Sequence, residues 1–201
     1  MKALLIFLLF LVWSTISHAE NTLASGGKSP NGRYEVRIYK SGGPDDSDPS
    51  NYSYGVLDTR NGKVLQNLNE GGGFCDYQGA IEMAKVLWNS AGDVFALIDH
   101  GTRHSMELYI YNVKSSSISE VKVPDYLKEG LSLVGANQCY GTSVVKLGTW
   151  KGDTLACSFI FDAETDAGRS PFYDTTFTIT VQHGKKNGAQ ITSMEKPKTE
   201  D

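Results

Sequence analysis

The segment Asn89-Ser90-Ala91-Gly92-Asp93 is the central one of three glycine turns that divide this chain; the others are Ser29-Pro30-Asn31-Gly32-Arg33 and Thr149-Trp150-Lys151-Gly152-Asp153. The turn glycines stand at positions 32, 92 and 152, so the same spacing of 60 residues occurs twice. A regular period of this order is typical of proteins built from repeated supersecondary units. The sequence therefore predicts three consecutive units, at about 22–70, 84–124 and 143–196.

Each turn is followed by a run with strand character, and then by further strand-like runs separated by polar turns. The run directly after the second turn, 94–99, is almost wholly apolar, which is typical of a strand buried on both faces. The run 175–181 alternates apolar residues with threonine, which is typical of a strand with one wet face. We therefore predict an all-β fold of three four-stranded antiparallel meanders of roughly 60 residues each.

Two segments are less regular than the rest. The stretch 22–28 is rich in Gly and Ser and lies next to the N-terminus that removal of residues 1–19 would leave, so we expect a weak or frayed first strand there. The stretch 125–129 predicts a single turn of helix between the second and third units.

A four-stranded unit with this order of turns and strands resembles a blade of a β-propeller, of the WD40-like or TolB-like type. The resemblance rests on Ser29-Pro30-Asn31-Gly32, which weakens to Ser90, Ala91 and Gly92 in the second unit, and on Trp88, near where such blades carry an aromatic residue. Propellers usually close with four to eight blades, whereas this chain holds three units. A β-sandwich or an open set of twisted sheets is the alternative arrangement.

The first 19 residues have the three parts of a cleavable secretory signal peptide. Lys2 supplies the positive start, residues 3–13 form an uncharged apolar run, and Ser17-His18-Ala19 offers small residues at a cleavage site. The apolar run is shorter than the roughly 20 residues that a bilayer-spanning helix needs. We therefore expect a secreted or periplasmic protein whose residues 20–201 form a single β-repeat domain, with no membrane span after cleavage.

The charge balance and the absence of several motifs argue against some partners and some kinds of chemistry. Lys and Arg number 19 against 23 Asp and Glu, and the basic residues are scattered, which disfavours a nucleic-acid partner. The sequence has no phosphate-binding glycine motif, no His-Glu-x-x-His metalloprotease motif and no Gly-x-Ser-x-Gly nucleophile motif. No cofactor is therefore predicted.

Two loops contain residue types that carry chemistry. The segment 99–104 is predicted to be a hairpin loop, and its Asp99, His100 and His104 are candidate catalytic residues, because carboxylate and imidazole groups act as general bases and zinc ligands. The acidic loop 45–51 offers candidate metal ligands, because closely spaced carboxylates suit calcium; these are Asp45, Asp46 and Asp48. Solvated polar loops are the alternative interpretation of both segments.

Three cysteines follow the predicted leader, and an export pathway permits a disulfide. Cys157 lies in an apolar alternation and is expected to be a small core residue. Cys75 and Cys139 lie in glycine-rich connecting segments and are the candidate disulfide pair, with unpaired thiols as the alternative.

Taken together, these features favour an exported binding or interaction module for an unknown protein, peptide or carbohydrate ligand, with no supported catalytic site. An exported hydrolase or metal-dependent enzyme that uses the segment 99–104 is the alternative. A third hypothesis is a subunit that completes a propeller by self-association or with a partner, since the unpaired outer strands of an incomplete ring are edges that need cover.

Overall fold

The computed structural model describes residues 20–40, 52–68, 84–102, 105–136, 138–139, 142–163, 171–182 and 188–199. Within this part of the chain almost all regular structure is strand, with one short helix. The strands are β1 (Glu20–Lys28), β2 (Tyr34–Lys40), β3 (Tyr52–Asp58), β4 (Lys63–Asn67), β5 (Lys85–Trp88), β6 (Val94–Thr102), β7 (Ser105–Lys114), β8 (Ser117–Val121), β9 (Thr142–Lys151), β10 (Thr154–Asp162), β11 (Phe172–Gln182), β12 (Gly188–Met194) and β13 (Lys198–Thr199), and the helix is α1 (Tyr126–Val134). The predicted all-β class is confirmed.

The strands follow the chain as three four-stranded antiparallel meanders. Meander 1 comprises β1 to β4, meander 2 comprises β5 to β8, and meander 3 comprises β9 to β12. Short stretches of parallel pairing join β1 to β5 and β7 to β9, and β13 adds to β11. The predicted arrangement of three such meanders is therefore confirmed.

The meanders pack face to face, and β6 lies in the middle with both of its faces buried. Phe95 and Leu97 pack in a core shared with meander 1, whereas Val94, Ala96 and Ile98 pack in a second core shared with meander 3. All five side chains are at most 1% exposed. The apolar composition of this run predicted a strand buried on both faces, and the structure confirms this prediction.

The first two turns make the same hydrogen bond at positions 60 residues apart. In each turn a backbone N–H donates across the turn to a carbonyl oxygen five residues later, from Ser29 to Tyr34 and from Asn89 to Val94, at 2.9 Å in both cases. Gly32 and Gly92 have φ values of +68° and +71°, a conformation that residues with a Cβ rarely adopt.

Two tryptophans tie each meander to the one before it. The Trp88 indole N–H at the end of β5 donates to the carbonyl oxygen of Gly27 in β1, and the Trp150 indole N–H of β9 donates to that of Leu87 in β5, both at 3.0 Å. Gly27 and Leu87 lie 60 residues apart, so the two bonds have corresponding acceptors. Each bond satisfies a polar group at the packed interface.

The first strand differs from the prediction of a weak strand. β1 runs from Glu20 to Lys28 and pairs with β2, with a shift of register between Leu23 and Lys28. Gly26 lies in this irregular stretch with φ +73°, and a Cβ there would lie 2.1 Å from the carbonyl oxygen of Val86. The glycines therefore permit a bulge and a close approach of β1 to β5, rather than fraying.

The helix is longer than the single turn predicted for 125–129. Asp125 caps it by accepting a hydrogen bond from the Lys128 backbone N–H at 2.9 Å, and Gly135 ends it with φ +70°. The Tyr126 ring stacks on Phe177 and packs edge-on against Phe159, which fixes α1 against meander 3. No helix in the described ranges is long and apolar enough to cross a bilayer.

Candidate functional site

The structure places Asp99 in a strand and not in the predicted loop. β6 continues through Thr102, and Asp99 pairs with Glu107 of β7. Asp99 is 5% exposed, and its Oδ1 accepts a hydrogen bond from the Tyr54 hydroxyl at 2.9 Å. Burial and the Asp99 carboxylate raise the pKa of Tyr54 well above its usual value, so this tyrosine remains a neutral donor. Asp99 therefore takes part in the packing between meanders 1 and 2.

The other predicted site residues lie wholly or partly beyond the described structure. The backbone of His100 belongs to β6 and pairs with Met106, while its side chain is outside the described set. His104, and the candidate metal ligands Asp45, Asp46 and Asp48, lie outside the described residues. Among the side chains that the structure does describe, no group of three or more His, Cys, Asp or Glu could hold a metal ion.

The structure describes two of the three cysteines that follow the predicted leader. Cys157 is a free thiol, 2% exposed in the core of meander 3, and burial raises its pKa to about 12, so the prediction of a core residue is confirmed. The Cys139 sulfur lies 3.4 Å from an oxygen of the Asp162 carboxylate. Cys75 is outside the described residues, so its disulfide with Cys139 stays a prediction.

A groove opens between β8 and β9, which pair with different parts of the same edge of β7. β8 pairs with β7 from Ile110 to Lys114, while β9 pairs with it only at Ser105 and Met106. The chain leaves β8 after Val121 and turns through Pro124 into α1. The space left beside residues 107–109 has a volume of about 450 Å³, and we call it the β7–α1 groove.

The groove combines charged, aromatic and apolar side chains. β7 contributes Glu107, Leu108 and Tyr109, β8 contributes Glu120, and the remaining lining comes from the connection and the first turn of α1, namely Lys122, Val123, Pro124, Asp125, Tyr126 and Leu127. Three carboxylates therefore stand against one ammonium group. A mixed lining of this kind is typical of small-ligand and peptide sites, where apolar contact supplies affinity and a few polar groups fix orientation.

Two tyrosines are held in place within this groove. The Tyr109 hydroxyl donates to Oε2 of Glu107, and burial together with this bond raises the pKa of Tyr109 above its usual range. Burial, and then the negative charge of Glu107, raise the pKa of Tyr126 to about 12, while hydrogen bonding with the Leu108 backbone acts in the opposite direction. Both hydroxyls therefore stay protonated at neutral pH and act as neutral polar groups.

Negatively charged residues predominate in the lining of the groove. Glu107 raises the pKa values of both Tyr109 and Tyr126, and the charge of Glu120 adds to burial in raising that of the neighbouring Tyr111. Asp125 is already used as the N-cap of α1, but its charge remains at the rim. This arrangement favours a positively charged group over an anion.

A scan against protein-family models found no match to the chain, and a search of curated proteins found none either.

Sequence reasoning missed the groove, because none of its charged residues belongs to a motif. Glu107 and Tyr109 are two apart on one strand and therefore share a face, which is a readable signal. Their meeting with Glu120 and Asp125 depends on where β8 separates from β7, and the sequence pattern does not determine this.

Proposed function

We propose that this chain is an exported binding module, and that the β7–α1 groove binds a basic segment of a peptide or protein. The groove itself carries the proposal: it is an opening of about 450 Å³ that contains fixed tyrosines and an excess of carboxylates. Export rests on the signal-peptide pattern of residues 1–19. N-terminal sequencing of the secreted protein tests that part, with Glu20 expected as the first residue.

The choice of a basic peptide follows from charge complementarity. Glu107 and Glu120 both line the groove, and a lysine or arginine side chain that enters it would gain charge-assisted hydrogen bonds to a carboxylate. Leu108, Val123 and Leu127 line the same groove and provide apolar surface for the aliphatic part of the ligand.

The blade-like character of the meanders supports the same proposal. We infer a propeller-like repeat from the turn hydrogen bonds at positions 29 and 89 and from the matching bonds of Trp88 and Trp150. Stacked repeats provide rigid surfaces on which the segments that leave the sheet can form a site.

The alternative enzyme hypothesis loses support from the position of Asp99. A carboxylate that is buried and bonded to Tyr54 is used in the packing of the fold, whereas a general base must reach a substrate. The binding hypothesis does not require Asp99 to reach a substrate.

Binding can be tested with the capped peptide Leu-Arg-Leu-Lys-Leu and a control peptide in which Glu replaces Arg and Lys. Calorimetric titration of the mature protein should show saturable binding of the basic peptide, weakened by salt because charges are involved. The double variant Glu107→Gln/Glu120→Gln should weaken binding by about tenfold or more, since a charged hydrogen bond contributes about 1.5–3 kcal/mol.

The matched control is Glu129→Gln/Glu195→Gln, which removes the same number of charges from exposed positions outside the groove. An equal loss of affinity in this control would show that only overall charge matters. Failure of the basic peptide to bind, or preferential binding of neutral oligosaccharides, would overturn the ligand assignment.

A further inference from the structure

Position relative to the turn glycine determines the face on which a residue lies. In meander 2, Phe95 and Leu97 follow Gly92 by three and five residues and face meander 1. In meander 3, Leu155 and Cys157 follow the turn glycine by the same three and five residues and face meander 2. Odd offsets therefore face the preceding meander, where there is one.

Even offsets face the following meander. Val94 and Ala96 follow Gly92 by two and four residues and pack against meander 3. Tyr34 and Val36 hold the same offsets in meander 1 and pack against meander 2. The rule identifies two faces that no described meander covers: the odd face of meander 1 and the even face of meander 3.

The uncovered face of meander 1 carries a charged network where the inner interfaces are apolar. Glu35 and Arg37 hold the offsets that Phe95 and Leu97 hold in meander 2. The Arg37 guanidinium pairs with Glu35 and also donates to Oδ1 of Asn21 at 2.7 Å. The side chains of Arg37 and Glu35 keep 25% and 17% of their surface exposed, whereas Phe95 and Leu97 keep none.

The uncovered face of meander 3 carries hydroxyl groups. Thr154 and Ser158 hold two of the even offsets, and on β11 the threonines at 176, 178 and 180 share their face through cross-strand pairing. The hydroxyls bond one another: Thr154 with Thr180 at 2.9 Å, and Thr178 with Ser193 at 2.6 Å. This face therefore meets its own hydrogen-bonding needs without a covering layer.

Docking another meander on either face would be unfavourable. Burying the Arg37–Glu35 pair would remove two charges from water, and an apolar partner would leave them without compensation. Apolar residues also occur on this face: Leu23 is 45% exposed beside Arg37, and Val64 is 38% exposed near the sheet edge. Tyr39 lies over Gly55, where a Cβ would be 2.7 Å from its ring, so it covers its own sheet.

We infer that the outer faces of meanders 1 and 3 are end caps, which stop the stack at three units and keep the mature chain monomeric. Polar outer faces on the terminal units are what keep a stacked repeat soluble. Glu35 and Arg37 are the residues that most directly prevent association at the first end.

The test compares the mature protein with variants in sedimentation velocity, from low to high micromolar concentration. The wild-type chain should sediment as a monomer throughout. The variant Glu35→Phe/Arg37→Leu installs the inner-interface pair of meander 2 at the end face, and it should form dimers or larger species. The charge-removing control Glu35→Gln/Arg37→Gln should remain monomeric.

A second variant covers the case in which the first one fails to fold. Thr176→Val/Thr178→Val/Thr180→Val keeps the side-chain shape and strand preference of the other end face, and it should also associate. A wild-type chain that forms dimers would overturn the inference, as would folded variants that remain monomeric at every concentration.

Discussion

Replacing Gly92 with alanine should destabilise the protein more than the same change at Gly32, although the two glycines hold equivalent turn positions. Both have positive φ, so each alanine should cost about 1–2 kcal/mol in backbone strain. A Cβ at Gly32 has nothing within 4 Å, whereas one at Gly92 would lie 2.7 Å from Nδ2 of Asn31.

The extra cost at Gly92 comes from a contact between meanders. Asn31 Nδ2 donates to the carbonyl oxygen of Ala91 at 3.0 Å, and the new methyl group would displace the amide. Loss of such a bond costs about 0.5–1.5 kcal/mol. We therefore expect a total of about 2–3 kcal/mol for Gly92→Ala.

A double-mutant cycle with Asn31→Ala isolates the contact. In that background the amide is absent, so Gly92→Ala should cost no more than Gly32→Ala, with a coupling energy of about 1 kcal/mol. Urea unfolding followed by tryptophan fluorescence gives the free energies, and constant m-values would confirm that only stability changed. Equal costs at the two glycines in both backgrounds would refute the stacked arrangement of the turns.

Three further predictions concern the cores. Gly130→Ala should destabilise by about 1 kcal/mol or more despite the better helix propensity of alanine, because the added Cβ would lie 3.0 Å from the Phe159 ring, while Ser132→Ala on the exposed side of α1 should stabilise slightly; chemical denaturation compares them. Tyr54→Phe should cost about 1.5–3 kcal/mol by removing a donor from the buried Asp99, and a thermal-unfolding midpoint unchanged from wild type would contradict this. Burial raises the pKa of Cys157 to about 12 from an ordinary value of 9.0, so this thiol leaves the free energy of unfolding unchanged well below pH 9 and lowers it above, at up to about 1.4 kcal/mol per pH unit; Cys157→Ala should lose that slope between pH 9 and 10 in urea titrations, and a slope equal to that of wild type would count against it.

The strands could be predicted from the sequence because their spacing and alternation are local properties. The run 94–99 is almost wholly apolar and the run 175–181 is apolar on one face, and the structure buries them accordingly. The bulge in β1 was missed, because Gly26 and Gly27 weaken a strand signal whether they cause fraying or permit close packing. The helix was predicted too short, because its support comes from the rings of meander 3 rather than from propensity.

The groove could not be predicted in the same way. Its residues come from two strands and a helix start, and they meet only because β8 pairs with half of β7 and then turns away. Pairing length of this kind is set by competition between β8 and β9 for one edge, which is a tertiary effect. Reactive residues that are close in sequence form a recognisable pattern, as they do at 99–104, whereas residues that strand pairing brings together do not.

The burial of Asp99 follows from its distance along the chain from the turn glycine. Asp99 follows Gly92 by seven residues, an odd offset that it shares with Phe95 and Leu97. Residues of that parity face meander 1, so parity alone directs the carboxylate into a core, where a polar group requires a partner. The hydroxyl of Tyr54 is that partner, and Tyr54 also lies on the inner face of its meander. Counting from the turn glycine therefore identifies Asp99 as a residue that the packing uses. Glu107 pairs with Asp99 and lies on the same face of the sheet, so the position of Glu107 and Glu120 at the β7–α1 groove, and not parity, makes them better candidates for recognition.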